Sequence, residues 1–518
     1  MAEYDIKYSQ NFSRNVVSNI INLIINILVG LLLVPFFLDT LGPAAYALIP
    51  LATSITSYVI LFVDVINTAI ARYLTIELQK GELKKANETY STSFFFLLGI
   101  VIVLIPVILL LSYLAPNFFE TGQISHDTVF IFFSLILGSV LLTALKSNFM
   151  VTLFAFNRLD LRNYVTIIQT ITQISLIIFL FMIIGPTLPF VGISYLVASI
   201  ISFILAYYYA KKINSNLVIS PSNFNKSRIR ELSGLSFFVF IDRMGCILQT
   251  QIALIILNIY FGAVIQAQYS LVLTWISFLL SLSSIITNTI APKVYSLAGL
   301  GDNNGIVHFV SIFTKFTGYL MALPLTLLCI FSSQLMTLWV GPEYVTLVPL
   351  VWILLPAYYF TITLSCQVSI AISHNRMKFP ALLNISGGIL YLSLALTLPV
   401  LFNIGYYGVA IASVITIFLL HGIIAPIFYS HVLKAPRLVF IKNMFPGFIA
   451  MIILMLAGYT YTLIVDVNSL LMLILSVSVI SIVYLGILLK FIISKSEKKL
   501  IIKCLPNCLQ NSKIIMKL

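Results

Sequence analysis

The chain has 518 residues, of which 60% are hydrophobic and only 9% are charged, and its mean hydropathy is +1.08. A soluble domain carries about a quarter of charged residues, so this composition excludes a soluble globular protein. The apolar runs are long and show no alternation of apolar and polar residues, which excludes a membrane β-barrel. The composition therefore predicts an all-α polytopic membrane protein.

The breaks between apolar runs predict fourteen transmembrane helices. The first apolar run follows a polar N-terminus and is too long for a cleavable signal, so we expect it to stay as a helix. In chain order the predicted helices cover residues 16–38, 44–70, 91–115, 128–154, 164–184, 187–210, 235–258, 265–292, 307–332, 346–372, 381–401, 406–431, 444–464 and 469–493.

The links between these helices alternate in charge. Links after odd-numbered helices contain no Lys or Arg, whereas 26 of the 29 Lys and Arg residues lie in the termini and in links after even-numbered helices. The positive-inside rule then predicts a cytoplasmic (inner) membrane protein with both termini in the cytoplasm, which agrees with an even number of helices. Topology and lipid contact thus explain the net charge of +13, and we predict no nucleic-acid partner.

The chain contains a weak internal repeat. Four pairs of segments match at nearly the same offset, about 220 residues. They are NTAIARY (67–73) with NTIAPKVY (288–295), NRLDLRNY (157–164) with NRMKFPAL (375–382), Gly42 with Gly262, and VGISYLVAS (191–199) with YGVAIAS (407–413).

The repeat predicts two six-helix lobes with the same orientation in the membrane, as in transporters built from parallel repeats. The first lobe covers residues 1–214 and the second 215–432. Helices 13 and 14 and a basic tail follow at 433–518. The basic link at 211–234 is then expected to be the hinge between the lobes.

Five ionisable residues lie inside predicted helices, and such residues are functional candidates because a charge in the bilayer is costly. They are Asp64 in helix 2, Lys146 in helix 4, Asp242 and Arg243 in helix 7, and Lys315 in helix 9. All five are expected within about eight residues of the cytoplasmic helix end, a depth of about 12 Å. Together they predict a cationic cavity between the lobes that is open to the cytoplasm and suits an anionic group such as a phosphate.

These charges also have a structural interpretation. A Lys or Arg at this depth can extend its head group to the membrane interface. Asp64 is short, so its structural alternative is an ion pair with a neighbouring helix, for instance with Lys146. Asp242 and Arg243 are adjacent and point about 100° apart, so they serve different neighbours.

Uncharged polar residues occur along the first helix of each predicted lobe. Asn22 and Asn26 in helix 1 and Gln249 and Gln251 in helix 7 fit a cavity that also holds hydroxyls. Hydrogen bonds between helices explain the same residues equally well.

The sequence carries no recognisable enzyme or metal motif. Its five cysteines are scattered without disulfide or zinc spacing, and its five histidines are spread along the chain. The links opposite the termini reach only about a dozen residues, and an integral-membrane polymerase usually needs a longer loop to hold its site. We predict no catalytic residue, no metal and no cofactor, and we expect that the protein is not an enzyme; coupling to Na+ or H+ stays open.

Four stretches resemble the polysaccharide-export flippases of the multidrug/oligosaccharidyl-lipid/polysaccharide (MATE-like) superfamily, with Wzx-type O-antigen flippases as the most similar group. They are VPFFLDTLGPAAYALIPLATSI at 34–55, the segment from Asp64 to Arg72, NRLDLRNY at 157–164 and GYYGVAIASVI at 405–415. The resemblance extends over nearly the whole chain.

This resemblance implies two lobes that alternate between inward-open and outward-open states. The implied cargo is a polyprenyl-pyrophosphate-linked oligosaccharide for cell-surface polysaccharide biosynthesis, with membrane lipids and glycan-assembly proteins as further partners. It also implies that Lys146, Arg243 and Lys315 bind the pyrophosphate or acidic sugars. Asp64 and Asp242 would set the electric field of the cavity, pair with those cations or bind a coupling ion.

Two other functions stay open. A cation-coupled multidrug exporter of the same fold usually has twelve helices and relies on carboxylates, whereas the intramembrane cations outnumber the acids here. A membrane glycosyltransferase or polymerase would belong to a different functional class.

Overall fold

The computed structural model describes residues 2–214, 216–374, 376–467 and 469–488. The basic tail beyond residue 488, and Asn375 in the second copy of the NR motif, lie outside the described residues. Eighteen α-helices are described, and no strand occurs in the ranges above. The helices are α1 Ala2–Leu41, α2 Pro43–Gln79, α3 Leu83–Phe118, α4 His126–Ala155, α5 Leu159–Ile183, α6 Leu188–Ile213, α7 Lys226–Thr250, α8 Ile252–Phe261, α9 Ala263–Gly299, α10 Asn303–Ile330, α11 Ser332–Trp339, α12 Val348–Leu364, α13 Val368–Ser373, α14 Lys378–Leu401, α15 Tyr407–Ile417, α16 Ala425–Val432, α17 Val439–Ile464 and α18 Leu470–Ile487.

Within the described chain, fourteen helical stretches are long and apolar enough to cross a membrane. The predicted all-α polytopic fold with fourteen spans is therefore confirmed. The seventh, tenth and twelfth spans each consist of two α-helices with a short irregular or differently wound segment between them. In the twelfth span this segment is a π-helix, Phe418–Ile424.

Several helices extend further into the cytoplasmic links than predicted. The second helix ends at Gln79 instead of residue 70, the seventh begins at Lys226 instead of 235, and the ninth begins at Asn303 instead of 307. The prediction equated helix ends with the ends of apolar runs. Glu, Leu, Gln and Lys have high intrinsic helix propensity, so these helices continue beyond the apolar run into water. The intramembrane charges therefore lie further from their helix ends than the eight residues expected.

The described residues pack as two compact units, the first ending at Ala267 and the second beginning at Gln268. We call them the first and the second unit. The first unit contains α1–α8, so the seventh helix packs with the first six. The predicted lobes, 1–214 and 215–432, are defined by the internal repeat and not by packing, and they stay a prediction.

The helix lengths follow the repeat. The second helix of each copy, α2 and α9, has 37 residues. Each of these helices follows a glycine with positive φ, +81° at Gly42 and +89° at Gly262. Glycine adopts this left-handed conformation without steric cost, so it ends one helix and lets the chain reverse into the next.

The NRLDLRNY motif joins α1 to the turn between α4 and α5. Asn157 adopts a left-handed conformation with φ of 53° after α4. Asn15 of α1 donates from Nδ2 to the Oδ1 of Asn157 at 3.1 Å, and its own Oδ1 accepts from the backbone N of Asp160 at 2.9 Å. Asn163 donates to Ser18 and Asn19, also on α1. The motif therefore has a structural role at this turn.

The thirteenth span, α17, packs closely against α10 inside the second unit. A Cβ added at Gly447 of α17 would lie 2.7 Å from the carbonyl carbon of Gly318 in α10. Beside this contact, the Tyr359 hydroxyl donates to the carbonyl of Met444 at 2.6 Å. Small residues let helices approach closely in membranes, where the hydrophobic effect does not drive association.

Candidate functional site

Four of the five predicted intramembrane charges lie in the first unit. Asp64 is on α2, Lys146 on α4, and Asp242 and Arg243 on α7. Lys315 is half-buried on α10, in the second unit. The structure thus brings one group of charges together inside one unit, and the shared cavity between lobes stays a prediction.

Packing of α2 against α7 brings Asp64 and Arg243 close together. The rings of Phe62 and Phe240, on the same two helices, have centroids 5.2 Å apart. The Asp64 carboxylate interacts electrostatically first with Arg243 and second with Arg162. Asp64 and Arg243 are both exposed side chains.

Arg162 is a candidate that the sequence analysis missed. Its position was assigned to the link after the fourth helix, but α5 begins at Leu159 and carries Arg162 in its first turn. Its guanidinium interacts with the charges of both Asp64 and Lys146. The interaction with Asp64 is attractive, whereas the interaction with Lys146 is repulsive because both side chains are cations.

A comparison with Arg158 in the same motif shows how the sequence could have identified Arg162 as a candidate site residue. Arg158 forms two hydrogen bonds with Asp160, from Nε at 2.9 Å and from Nη2 at 3.0 Å. This hydrogen bonding raises the pKa of Arg158, so the pair is a closed local unit. The guanidinium of Arg162, four residues later, instead interacts with the charge of Asp64.

Lys146 is anchored inside the first unit. It is 6% exposed, and its Nζ donates to Gln169 Oε1 on α5 and to Ser202 Oγ on α6, the latter at 3.2 Å. The structure thus replaces the ion pair with Asp64, considered above, by two neutral acceptors. Both acceptors belong to the same bundle, so they fix the ammonium behind the exposed charges.

Asp242 and Arg243 lie one turn before Cys246 on α7. Asp242 is half-buried and Arg243 is exposed. The adjacent pair thus places one acid and one cation near the same segment of α7.

The predicted amide residues have different environments. Asn26 donates from Nδ2 to the backbone oxygen of Asn22 at 2.8 Å and to its Oδ1 at 3.3 Å. These bonds lie within α1, so they do not join two helices. Gln249 is half-buried on α7. A hydroxyl-binding role for the three residues stays a prediction.

Three cations, Lys146, Arg162 and Arg243, and two acids, Asp64 and Asp242, lie on helices α2, α4, α5 and α7 of the first unit. An anionic ligand for these five charges stays a prediction. A guanidinium binds phosphate oxygens in a bidentate manner, and low dielectric strengthens the attraction. Among the described residues, no group of three His, Cys, Asp or Glu residues is arranged to hold a metal ion.

A cavity of about 240 Å³ lies elsewhere in the first unit, beside the link after α6. Its lining includes Tyr90, Tyr207, Lys211 and Asn214. The ammonium of Lys211 lies 6.0 Å from the centre of the Tyr207 ring. None of the predicted site residues lines this cavity.

Comparison with known proteins gives a family and a fold. A model of the family described as polysaccharide biosynthesis protein matches residues 12–295, more than half of the chain. The uncharacterized membrane protein EpsK of Bacillus subtilis (strain 168) is 25% identical over 478 residues, which cover 91% of this chain and 93% of EpsK.

Two solved structures share the architecture. An inward-facing multidrug resistance transporter of the MATE family, from the MOP superfamily, matches with a TM-score of 0.63 at 11% identity, over 85% of this chain and 96% of that one. The lipid II flippase MurJ in an inward closed conformation matches with a TM-score of 0.61 at 15% identity, over 92% and 99%. The resemblance drawn from the residues is confirmed, and the chain belongs to the polysaccharide biosynthesis protein family, with the fold of MATE transporters and MurJ.

Proposed function

We propose that this protein flips a polyprenyl-pyrophosphate-linked oligosaccharide across the cytoplasmic membrane for cell-surface polysaccharide biosynthesis. The family supports the pathway, and the fold supports transport by alternating access. Both termini would lie in the cytoplasm, and glycan-assembly proteins would supply and consume the cargo.

The observation that carries this proposal is the group of charges in the first unit. Arg243 and Arg162 both act on the exposed carboxylate of Asp64. Two guanidinium groups with one carboxylate between them leave donors for a pyrophosphate, since each guanidinium has five N–H groups. The negative charge of Asp64 weakens the net attraction of the site for the pyrophosphate. This favours release of the cargo on the other side of the membrane.

The role that we propose for each charged residue then follows from how deeply its side chain is buried. Arg243 and Arg162 would bind the pyrophosphate, and Lys146 would add positive potential from behind them. Lys315 would provide a cation from the second unit, and Asp64 and Asp242 would be the groups available to a coupling Na+ or H+. Asn22, Asn26 and Gln249 would meet sugar hydroxyls.

The proposal is tested in proteoliposomes with a polyprenyl pyrophosphate that carries a fluorescent disaccharide. Membrane-impermeant dithionite quenches the outer leaflet, so flipping appears as an increase in the quenched fraction. We expect wild-type protein to accelerate flipping, and Arg243→Ala and Lys315→Ala to slow it at least tenfold. Wild-type protein without flipping would overturn the function, and normal flipping by both variants would overturn the site.

Multidrug export is a second candidate function, favoured by the fold of the MATE transporters and by the acids Asp64 and Asp242. It is tested by expression in a drug-sensitive host. Resistance that is lost in Asp242→Asn would favour this function. No change in resistance, together with flipping of the lipid-linked probe, would exclude it.

A further inference from the structure

The cavity of about 240 Å³ at the end of α6 takes no part in the proposed transport site. It lies between α3, the last two turns of α6 and the first residues of the link after α6. Its lining includes Tyr90 of α3, Tyr207 and Lys211 of α6, and Asn214, Leu217 and Val218 at the start of the link. A water molecule takes up about 30 Å³ in the liquid, so the cavity has room for a group as large as a phosphate.

The link residues that line this cavity are held in place by α3. Asn87 Nδ2 donates to the carbonyl of Asn216 at 3.1 Å, and Asn87 Oδ1 accepts from the backbone N of Val218 at 2.8 Å. Ser91 Oγ donates to the carbonyl of Val218 at 3.0 Å and accepts from the backbone N of Ser220 at 3.2 Å. The cavity is therefore preformed, and a ligand does not have to order the link in order to bind.

The polar groups of the cavity suit an anion. Lys211 is the only charged side chain among the described residues that line it, and the Lys211 ammonium lies 6.0 Å from the centre of the Tyr207 ring. The Oδ1 of Asn214 accepts from the backbone N of Asn216 at 3.0 Å, which leaves the Nδ2 donors of Asn214 for a ligand. An ammonium and an amide N–H group without an acid beside them fit phosphate oxygens.

Aromatic and basic residues mark this end of α6 as a membrane interface. Tyr207, Tyr208 and Tyr209 come directly before the last turn, which carries Lys211 and Lys212. Tyrosine is enriched at the level of the lipid headgroups, and lysine is enriched just beyond it on the cytoplasmic side. With the proposed topology, the cavity opens among the headgroups of the cytoplasmic leaflet.

An exposed apolar face of α6 leads from the bilayer to the cavity. Ile200, Ile204, Tyr207 and Lys211 follow one another at intervals of four, three and four residues, so they lie on one face of the helix. Ile200 and Ile204 are 42% and 57% exposed, and Tyr207 is 46% exposed. An acyl chain can lie along this face while its headgroup reaches Lys211, whereas a free phosphate would use the cavity alone.

We propose that this cavity binds the phosphate headgroup of an anionic phospholipid, with an acyl chain along the exposed face of α6. The Lys211 ammonium and the Asn214 amide bind the phosphate oxygens, and the Tyr207 ring packs beside the glycerol ester. The assignment to the cytoplasmic leaflet rests on the proposed topology. The binding itself does not depend on the flipping activity.

The first test measures lipid binding by the purified full-length protein in detergent micelles that contain phosphatidylglycerol or phosphatidylcholine. Native mass spectrometry counts the lipids that stay bound. We expect one phosphatidylglycerol to bind in preference to phosphatidylcholine, and Lys211→Gln to raise its apparent Kd about fivefold or more. Lys212→Gln is the matched control, because it removes the same charge from the same turn outside the lining, and it should stay within twofold of the wild type. Equal effects of the two variants, or no preference for phosphatidylglycerol, would overturn the proposal.

A second pair of variants tests the link side of the cavity. Asn214→Asp keeps an oxygen that accepts from the backbone N of Asn216 but replaces the Nδ2 donors with negative charge. We expect it to raise the apparent Kd for phosphatidylglycerol at least tenfold at an unchanged melting temperature. Asn216→Asp adds the same charge two residues later, outside the lining, and should stay within twofold. A loss of the same size in Asn216→Asp would point to the net charge of the link and contradict the site.

Competition experiments identify the occupant. We expect millimolar inorganic phosphate to leave the bound phosphatidylglycerol in place, since it makes no use of the apolar face. Displacement by inorganic phosphate would overturn the lipid assignment in favour of a free anion. Displacement by a polyprenyl pyrophosphate at lower concentration than by phosphatidylglycerol would overturn it in favour of the cargo. Absence of flipping in a wild-type protein that binds phosphatidylglycerol as expected would count against the proposed function alone.

Discussion

Arg228 and Glu77 form an ion pair between α7 and α2, with 3.2 Å between Nη2 and Oε1 and side chains only 15% and 7% exposed. Water screens this pair far less than a surface pair, so removal of one partner costs more than it would at the surface. It lies where the sequence predicts a flexible hinge. The pair therefore shows how tertiary contacts change the interpretation of a basic link.

Removal of one partner of this pair is expected to be strongly destabilising. Glu77→Gln and Arg228→Gln should each lower the free energy of unfolding by about 3 kcal/mol, because each removes one charge of a buried ion pair and leaves the opposite charge less well compensated. The double variant should lose less than the sum of the two. Thermal unfolding in detergent measures these losses. Glu82→Gln removes the exposed pair with Lys85 and should leave the melting temperature unchanged; additive losses at Glu77 and Arg228 would contradict the coupling.

Lys146→Met tests whether the buried lysine binds substrate. Ser202 also donates to the Ser199 carbonyl at 3.0 Å, and Gln169 also donates to Ser199 Oγ at 3.5 Å. Both residues therefore keep a hydrogen bond as donors without Lys146, while Gln169 Oε1 and Ser202 Oγ lose an incoming donor, and methionine fills a similar volume. We expect a melting temperature equal to or above that of the wild type, since a buried ammonium is no longer desolvated.

The flipping rate of the same variant separates two roles of Lys146. A rate reduced two- to fivefold would fit a lysine that adds positive potential from behind Arg162. A rate reduced a hundredfold at unchanged stability would show direct contact with the cargo, and the division of roles by burial would then be wrong.

Arg162→Ala tests the residue that the structure adds to the site. Loss of a charged hydrogen bond costs about 1.5–3 kcal/mol, which corresponds to a roughly 10- to 150-fold lower rate of flipping. Arg158→Ala is the matched control, because Arg158 lies on the same turn but is paired with Asp160. We expect Arg158→Ala to flip at nearly the wild-type rate. Equal losses in the two variants would point to a structural effect of this turn instead.

Gly447→Ala tests the contact between α17 and α10. An added methyl group would meet Gly318 and the Tyr359 hydroxyl, so the helices must separate or the tyrosine must move. Overpacking of this kind costs about 1–3 kcal/mol. Gly99→Ala on α3 is the control, since no atom lies within 4 Å of its added Cβ, and it should stabilise the helix by about 0.5–1 kcal/mol. A neutral Gly447→Ala would show that α17 is loosely attached.

The sequence was sufficient to predict the fold class and the number of spans. Hydropathy summed over about 20 residues decides whether a segment crosses the bilayer, and this sum is local. The repeat was readable for a similar reason, since Gly42 and Gly262 must both adopt a left-handed conformation at equivalent helix ends. Helix ends were less predictable, because helical hydrogen bonding continues after the apolar run stops.

Only the tertiary structure decided which charges belong together. The partners of Lys146 are set by the rotation of α4, α5 and α6 about their axes, and Arg162 joins the group because α5 begins earlier than its apolar run. The association of α7 with the first unit depends on Glu77, Glu88 and Asn258, whose partners lie far away in sequence. Such contacts arise from packing in three dimensions, so hydropathy and spacing along the chain do not contain them.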